Sequence, residues 1–206
     1  AASAESVYCS LVAIDPVDGI VGVHRKLKPT FGERMVWSDG DGHGLRVHET
    51  NGWRVSGLNC WENWMPLPRA ALYGMGENVH CAVWPGSDHN TKDITRFIAR
   101  ESRSYVISVS STMNKNDFPL DTPYIEEILT AAPEQLANGG SCIANPDGTW
   151  LLEPQINTEG VFFGSIQLNR IYEERQNFDP VGHYSRPDVT QLHLNRERQS
   201  TIKIKD

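Results

Sequence analysis

The chain has 206 residues, with 19 Lys and Arg against 26 Asp and Glu and a formal net charge of −7. The acidic balance argues against a nucleic-acid groove or an anionic membrane surface as the main partner. No apolar run approaches the roughly 20 residues that a membrane-spanning helix needs. The four cysteines show neither zinc-type pairing nor the density of a disulfide scaffold, so we expect reduced thiols and a location in the cytoplasm.

Strand-like runs alternate with helical patterns along the chain. Two runs rich in β-branched residues, 7–14 and 20–24, flank an Asp/Pro/Gly-rich turn and predict a β-hairpin. A second strand pair is predicted over 45–49 and 53–58. Beyond it the pattern predicts helices over 66–76, 93–102 and 126–137 and strands over 80–84, 105–110, 141–144, 149–152 and 161–167. This order indicates a mixed sheet covered by helices, of class α/β or α+β.

Cys60 stands at a place in this pattern that suits a nucleophile. It follows the predicted strand 53–58 and precedes the predicted helix 66–76. A helix N-terminus and nearby cations lower the pKa of a thiol and favour the reactive thiolate. A buried, inert cysteine is the alternative. The other cysteines lie in apolar strand-like runs and fit that alternative: Cys9, Cys81 and Cys142.

Four segments of the chain resemble the nitrilase family, in the expected order. They are 24–34 (HRKLKPTFGER), 57–67 (GLNCWENWMPL), 76–85 (GENVHCAVWP) and 179–189 (DPVGHYSRPDV). The first is similar to the family's lysine motif and the second to its nucleophile motif. The resemblance predicts a carbon–nitrogen hydrolase domain over 1–194, incomplete at its N-terminus. A charged extension over 195–206 follows it, either solvated or partner-binding.

This resemblance implies a four-layer αββα sandwich with a Glu-Lys-Cys site. Cys60 falls at the family's nucleophile and Lys26 at its catalytic lysine, whereas Glu33 falls at a second, supporting glutamate. On the residues alone, Lys26 could be a surface lysine in a basic patch, with Lys28 as the fallback. Glu33 could equally form a solvated ion pair with Arg34.

Further positions near these motifs have candidate roles. We expect Trp61 to contribute its backbone N–H to an oxyanion site. Trp84 is expected to line the substrate pocket, with core packing as the alternative. Glu62 could polarise the site or accept hydrogen bonds that hold the turn, and it is not assigned as the base. Strand alternation puts His80 and Cys81 on opposite faces, so no metal is expected, and no cofactor.

The implied reaction is hydrolysis of an organic nitrile to a carboxylic acid and ammonia, through a cysteine thioimidate and thioester. The family's general-base glutamate lies well before its lysine motif. Here only Glu5 precedes Lys26, in an unlike setting, and the chain enters a strand soon after Ala1. We therefore expect that the first strands and helices, with the base, are missing and that the fragment alone could be inactive.

Several alternatives stay open. An amidase or a cyanide-degrading enzyme of the same superfamily would use the same cysteine and lysine. An inactive fragment could retain only an assembly role, because nitrilases form dimers and spiral oligomers, and we expect a homo-oligomer. A cysteine protease is disfavoured because no histidine sits in a recognisable partner motif.

Overall fold

A computed structural model of the protein describes residues 6–200 and residue 202. Glu5, the glutamate upstream of Lys26, lies outside the described residues. The chain forms two compact units, one of Ala1–His80 with Phe178–Asp206 and the other of Cys81–Asn177. Among the helices of the described part, none combines the length and the apolar character needed to cross a bilayer.

Two antiparallel hairpins supply the strands at the start of the first unit. The strands are β1 (Ser10–Asp15), β2 (Gly19–Arg25), β3 (His48–Thr50) and β4 (Trp53–Asn59). β1 pairs with β2 and β3 pairs with β4, which confirms both predicted hairpins. β3 begins later than predicted because Leu45 is the C-cap of the 3-10 helix Gly42–Gly44. Its side chain (3% exposed) packs in the core with Leu58.

Helix α1 (Pro66–Gly74) completes the core of the first unit, and its Leu72 packs against Leu45 and Leu58. Pro66 suits the first helical position, where no intrahelical partner for an N–H exists. Gly76, with φ +79°, follows the helix end in the left-handed region. Strand β5 (Val79–Trp84) begins at the end of this unit and continues into the second. Three 3-10 helices lie in the connections: Phe31–Met35, Gly42–Gly44 and Cys60–Trp64.

The second unit is a sheet with helices packed on it. After β5 its elements are α2 (Asp88–Ser102), β6 (Tyr105–Ser110), β7 (Thr112–Asn114), the 3-10 helix Lys115–Asp117, α3 (Ile125–Ala131), β8 (Gln135–Ala144), β9 (Trp150–Ile156) and α4 (Leu168–Asn177). β6 lies between β5 and β8, and β8 pairs antiparallel with β6, β7 and β9. α2 packs on β6 and β8 and buries Ile94, Ile98 and Ala99. Strands and helices alternate, so the predicted mixed α/β class is confirmed.

Two predictions in this unit were wrong. The helix predicted over 126–137 ends at Ala131, and β8 begins at Gln135. The cause is Pro133, which has no N–H and forces the preceding Ala132 into an extended conformation, with ψ 141°. The strand predicted over 161–167 is irregular and leads into α4, which the strand pattern missed. Its apolar side chains, such as Phe163 (85% exposed), are not buried in a sheet.

Candidate active site

Cys60 lies where β4 ends, as the first residue of the 3-10 helix Cys60–Trp64. Its φ of 54° is in the left-handed region, which residues with a side chain rarely adopt. Such a conformation persists only where the surroundings hold it, and such sites are often functional. A capping box holds the turn here, because Asn59 and Glu62 exchange hydrogen bonds between side chain and backbone.

Glu62 joins the Cys60 turn to the segment that carries Lys26. Its side chain is fully buried, and its carboxylate accepts hydrogen bonds from the backbone N–H of Leu27 at 2.6 Å and of Asn59 at 3.0 Å. Nε2 of His24, on β2, lies 3.1 Å away from Oε1. Of the two roles considered for Glu62, this geometry favours the structural acceptor over the group that polarises the substrate.

Lys26 is buried, with 1% of its surface exposed, immediately after β2. Its ammonium donates to Oε2 of Glu33 at 2.6 Å and to Oγ1 of Thr30 at 3.1 Å. The Thr30 backbone N–H donates to the same carboxylate oxygen at 2.6 Å. A solvated surface lysine does not fit this burial.

The side chains behind the two alternative assignments in this segment, Lys28 as the site lysine and a Glu33–Arg34 ion pair, have other partners. Lys28 has 54% of its side chain exposed and pairs with Asp39 at 2.7 Å. Arg34 donates to the carbonyl of Pro29, and the carboxylate of Glu33 turns towards Lys26. Lys26 and Glu33 therefore form the pair, and the geometry favours neither Lys28 as the site lysine nor a Glu33–Arg34 ion pair.

The charges around Cys60 act in opposite directions on its thiol. Burial raises the pKa of Cys60, whereas the ammonium of Lys26 and a hydrogen bond from the Trp61 backbone N–H lower it. Burial dominates, so the pKa lies above its ordinary value. The expectation of a lowered pKa for the free thiol was wrong, because a short 3-10 turn and one cation do not outweigh the loss of solvent.

Glu33 keeps its charge beside Lys26. Burial raises the pKa of the Glu33 carboxyl, but the hydrogen bonds from Lys26 and from the Thr30 backbone outweigh burial and hold the pKa below its usual range. The carboxylate therefore stays ionised and balances the buried ammonium at neutral pH.

The two predicted substrate-binding tryptophans have different surroundings. Trp61 exposes 47% of its surface, and its ring centroid lies 6.3 Å from that of Trp64. Its backbone N–H points at the Cys60 thiol, which suits a donor to developing charge. Trp84 lies at the end of β5 in the second unit and is buried, with 4% exposed. Core packing accounts for that burial, and a pocket role for Trp84 stays a prediction.

Cys9 lies beside the site, although the sequence pattern assigned it to inert packing. Its carbonyl accepts the backbone N–H of Lys26 at 2.8 Å. Burial raises the pKa of its thiol, on which Lys26 and Cys60 also act. The predicted hairpin already indicated this neighbourhood, because Ser10, which Cys9 directly precedes, pairs with Arg25, which Lys26 directly follows.

Part of the predicted C-terminal extension lies against the loop that follows Lys26. Asp41 is buried, with 7% exposed, and accepts hydrogen bonds from Arg198 at 3.1 Å and from the backbone of Gln199 at 3.1 Å. The neighbouring Gly40 N–H donates to the Lys26 carbonyl at 2.9 Å. Within the part of the chain that the structure describes, no group of three or more His, Cys, Asp or Glu side chains could hold a metal ion.

Known proteins resemble the chain over most of its length. The family model of carbon-nitrogen hydrolases matches residues 2–176. A nitrilase of Bradyrhizobium diazoefficiens is 38% identical over 91% of this chain and 58% of its own. A bifunctional nitrilase/nitrile hydratase of Oryza sativa subsp. japonica is 36% identical over 92% of this chain and 53% of its own. An aliphatic nitrilase of Sinorhizobium fredii is 34% identical over 96% of this chain and 63% of its own. The chain thus spans little more than half the length of these relatives.

Solved structures agree on the fold. A carbon-nitrogen hydrolase from Helicobacter pylori G27 superposes with a TM-score of 0.69 at 20% identity, over 88% of this chain and 64% of its own. Saccharomyces cerevisiae Nit3, a member of the nitrilase superfamily, superposes with a TM-score of 0.68 at 14% identity, over 87% of this chain and 60% of its own. These likenesses confirm the predicted α/β fold of the nitrilase type.

Proposed function

Because the chain belongs to the carbon–nitrogen hydrolase family, we propose that it carries the nucleophile and the charge-stabilising lysine of a nitrilase. The reaction is hydrolysis of an organic nitrile to a carboxylic acid and ammonia. One observation carries the proposal. Lys26 is buried as an ion pair with Glu33, and its charge acts on the thiol of Cys60. The similarity to proteins named as nitrilases supports nitriles as the substrate class.

In the first step the Cys60 thiolate attacks the nitrile carbon. A carbon–sulfur bond forms, one π pair of the carbon–nitrogen triple bond moves to nitrogen, and the nitrogen takes a proton to give a thioimidate. The Lys26 ammonium and the Trp61 N–H stabilise the negative charge that develops. The raised pKa of Cys60 means that proton removal from the thiol accompanies or precedes the attack.

Two waters complete the reaction. The first adds to the thioimidate carbon, and the tetrahedral adduct expels ammonia after a proton transfer to nitrogen, which leaves a thioester. The second water attacks the thioester carbonyl, the carbon–sulfur bond breaks, and the acid and the free thiol form. Lys26 stabilises the tetrahedral adducts that form when each of the two waters adds.

We assign neither described glutamate of the site as the general base. Oε2 of Glu33 is shared by Lys26 and Thr30, and Glu62 accepts from the backbone of the turn. Glu33 therefore acts on Lys26, with which it forms a close ion pair. The family resemblance assigns the base to a glutamate ahead of the lysine motif.

The remaining assignments belong to the same proposal. Trp61, with 47% of its surface exposed, binds the organic part of the nitrile, and the full enzyme is a homo-oligomer, either a dimer or a spiral. No cofactor takes part. The four widely spaced cysteines lack the density of a disulfide scaffold, which is typical of a reducing compartment, and we propose the cytoplasm.

The test is ammonia release from a panel of aliphatic nitriles, arylnitriles, amides and cyanide, with Cys60→Ala as the matched control. We expect covalent capture of nitriles at Cys60 by the wild-type chain and, where turnover follows, ammonia release that Cys60→Ala lacks. Capture or turnover of amides or cyanide but not of nitriles would overturn the nitrilase assignment in favour of those relatives.

A further inference from the structure

A hydrogen-bonded network of buried polar side chains adjoins the Cys60 turn, and the proposed reaction uses none of them. Glu77, His80 and Asn63 are each 0% exposed, and Ser56 is 5% exposed. Oε2 of Glu77 lies 3.1 Å from Nδ1 of His80, and Nε2 of His80 lies 2.9 Å from Oδ1 of Asn63. Polar groups buried in this way are costly unless each is hydrogen-bonded, so the directions of these bonds are constrained.

The orientation of Asn63 is fixed by its neighbours. Its Nδ2 lies 2.9 Å from the carbonyl oxygen of Cys60 and 3.2 Å from that of Leu58. The reversed amide would place oxygen against two carbonyl oxygens, so the NH2 group must face them. Oδ1 then faces His80, and because an amide oxygen only accepts, Nε2 of His80 carries a hydrogen.

The other ring nitrogen of His80 faces Glu77. Oε2 of Glu77 also accepts the hydroxyl of Ser56. Nδ1 of His80 and the Glu77 carboxyl share one hydrogen along their contact, and this contact holds the ring in the orientation that presents Nε2–H to Asn63.

We propose that His80, held in place by Glu77, is a positioning residue that fixes Asn63 and, through it, the left-handed turn at Cys60. The inference rests on the proposed function only in taking Cys60 as the nucleophile. The Nε2–H donor polarises the Asn63 amide and strengthens its two bonds to the turn carbonyls. Arg69 of α1 binds the backbone carbonyl of Asn63 at 2.9 Å, which holds the other side of the same residue.

The position of Cys60 matters because its thiol receives the Trp61 N–H and the field of Lys26. A turn that relaxes from φ 54° would move the thiol away from both. The relay from Glu77 to Asn63 therefore sets how reactive Cys60 is, although none of its side chains contacts the substrate.

The hydrogen on Nε2 of His80 can be read directly in the wild-type chain. Nitrogen-15 NMR of the imidazole rings, with through-bond assignment to each backbone, separates the seven histidines and distinguishes a protonated ring nitrogen from a bare one. We expect Nε2 of His80 to be protonated, as its contact with the Asn63 amide oxygen requires. A bare Nε2 on His80 would overturn the proposal.

The positioning role is tested by alkylation of Cys60 with iodoacetamide, followed by peptide mass spectrometry. His80→Gln should slow alkylation of Cys60 about tenfold, as expected for a thiolate fraction that falls by one pKa unit. His89→Gln, at an exposed position on α2, should react like the wild type. The buried Cys142 reports on unfolding and should stay protected in both variants.

A wild-type rate at Cys60 in His80→Gln would overturn the positioning role. So would a change at Cys60 that Cys142 follows in step, because that pattern means general destabilisation. The rate of alkylation by iodoacetamide depends on the placement of the Cys60 thiol and not on the natural substrate. Absence of nitrile capture together with these expected results would thus contradict the proposed function and leave this inference standing.

Discussion

Oε2 of Glu33 lies 2.6 Å from the ammonium of Lys26, whose side chain is only 1% exposed. A buried ammonium needs a counter-charge, because desolvation alone favours its neutral form. Glu33, seven residues after Lys26 in the 3-10 helix Phe31–Met35, supplies this counter-charge. Thr30, the N-cap of that helix, hydrogen-bonds to both groups. The pair therefore keeps a positive charge inside the protein, where it acts on Cys60.

Replacement of Glu33 by Gln should destabilise the protein by about 1–3 kcal/mol, since Lys26 would keep a hydrogen-bond acceptor but lose its counter-charge. Urea unfolding measures the change. Asp39→Asn is the matched control, because its partner Lys28 is half exposed, and it should alter the free energy of unfolding by less than about 1 kcal/mol. Equal effects in the two variants would contradict the role given to Glu33.

The reactivity of Cys60 should rise with pH and reach half its maximum above the ordinary thiol value of about 8.5. The reason is that burial raises the pKa while Lys26 opposes the rise. Lys26→Met should move the midpoint of the alkylation profile higher still. Lys28→Met removes an exposed charge and should leave the midpoint of the alkylation profile unchanged. A midpoint that falls in Lys26→Met is incompatible with this electrostatic account.

Glu62→Ala should cost about 3 kcal/mol or more of stability, because two backbone N–H groups and His24 lose their buried acceptor. Thermal or urea unfolding gives the value. Glu49→Ala, where the side chain is 74% exposed, should change stability by less than about 0.5 kcal/mol. Should Glu62→Ala be as stable as the control and lose only nitrile chemistry, Glu62 would be a catalytic group and not a structural acceptor.

Asp41 should make the protein sensitive to acid. Burial raises the pKa of Asp41, but hydrogen bonds from Gln199 and His43 and the charges of Arg198 and Arg25 outweigh burial and hold the pKa below its usual value. A depressed carboxyl pKa stabilises the fold above the unfolded value of about 3.9, and this contribution is lost as pH falls through the folded value.

Asp41→Asn should therefore lower stability at neutral pH and flatten its fall below about pH 4. Chemical unfolding across pH 2 to 7 measures both effects (the range spans the carboxyl pKa values). Asp121→Asn, at an exposed position, should follow the wild-type curve. An Asp41→Asn curve parallel to the wild type would contradict the contact between the C-terminal segment and this loop.

Local patterns predicted the hairpins and the helix α1 because each is encoded over a few neighbouring residues. β1 with β2 and β3 with β4 follow from β-branched runs on either side of turn residues. The pattern failed after residue 125, where an apolar stretch fits a helix or a strand and Pro133 decides between them. It also failed over 161–167, where apolar residues do not signal burial.

The candidate site residues were proposed from motifs, but the interactions among them could not be predicted from the sequence. Cys60 and Lys26 stand in recognisable segments, and the structure brings Glu33 to Lys26. Glu62, in contrast, reaches Leu27 across 35 residues of sequence, which no local pattern encodes. The charge balance at Cys60 depends on burial, and burial is a property of the whole fold.

The measurement that tests the central claim most directly is mass spectrometry of the chain after incubation with an electrophilic nitrile. We predict one adduct of the nitrile, on the peptide that contains Cys60, in the wild type and in Cys81→Ala. Cys60→Ala should form none, and Lys26→Met should form it more slowly. An adduct that persists in Cys60→Ala, or that maps to another cysteine in the wild type, would contradict Cys60 as the nucleophile.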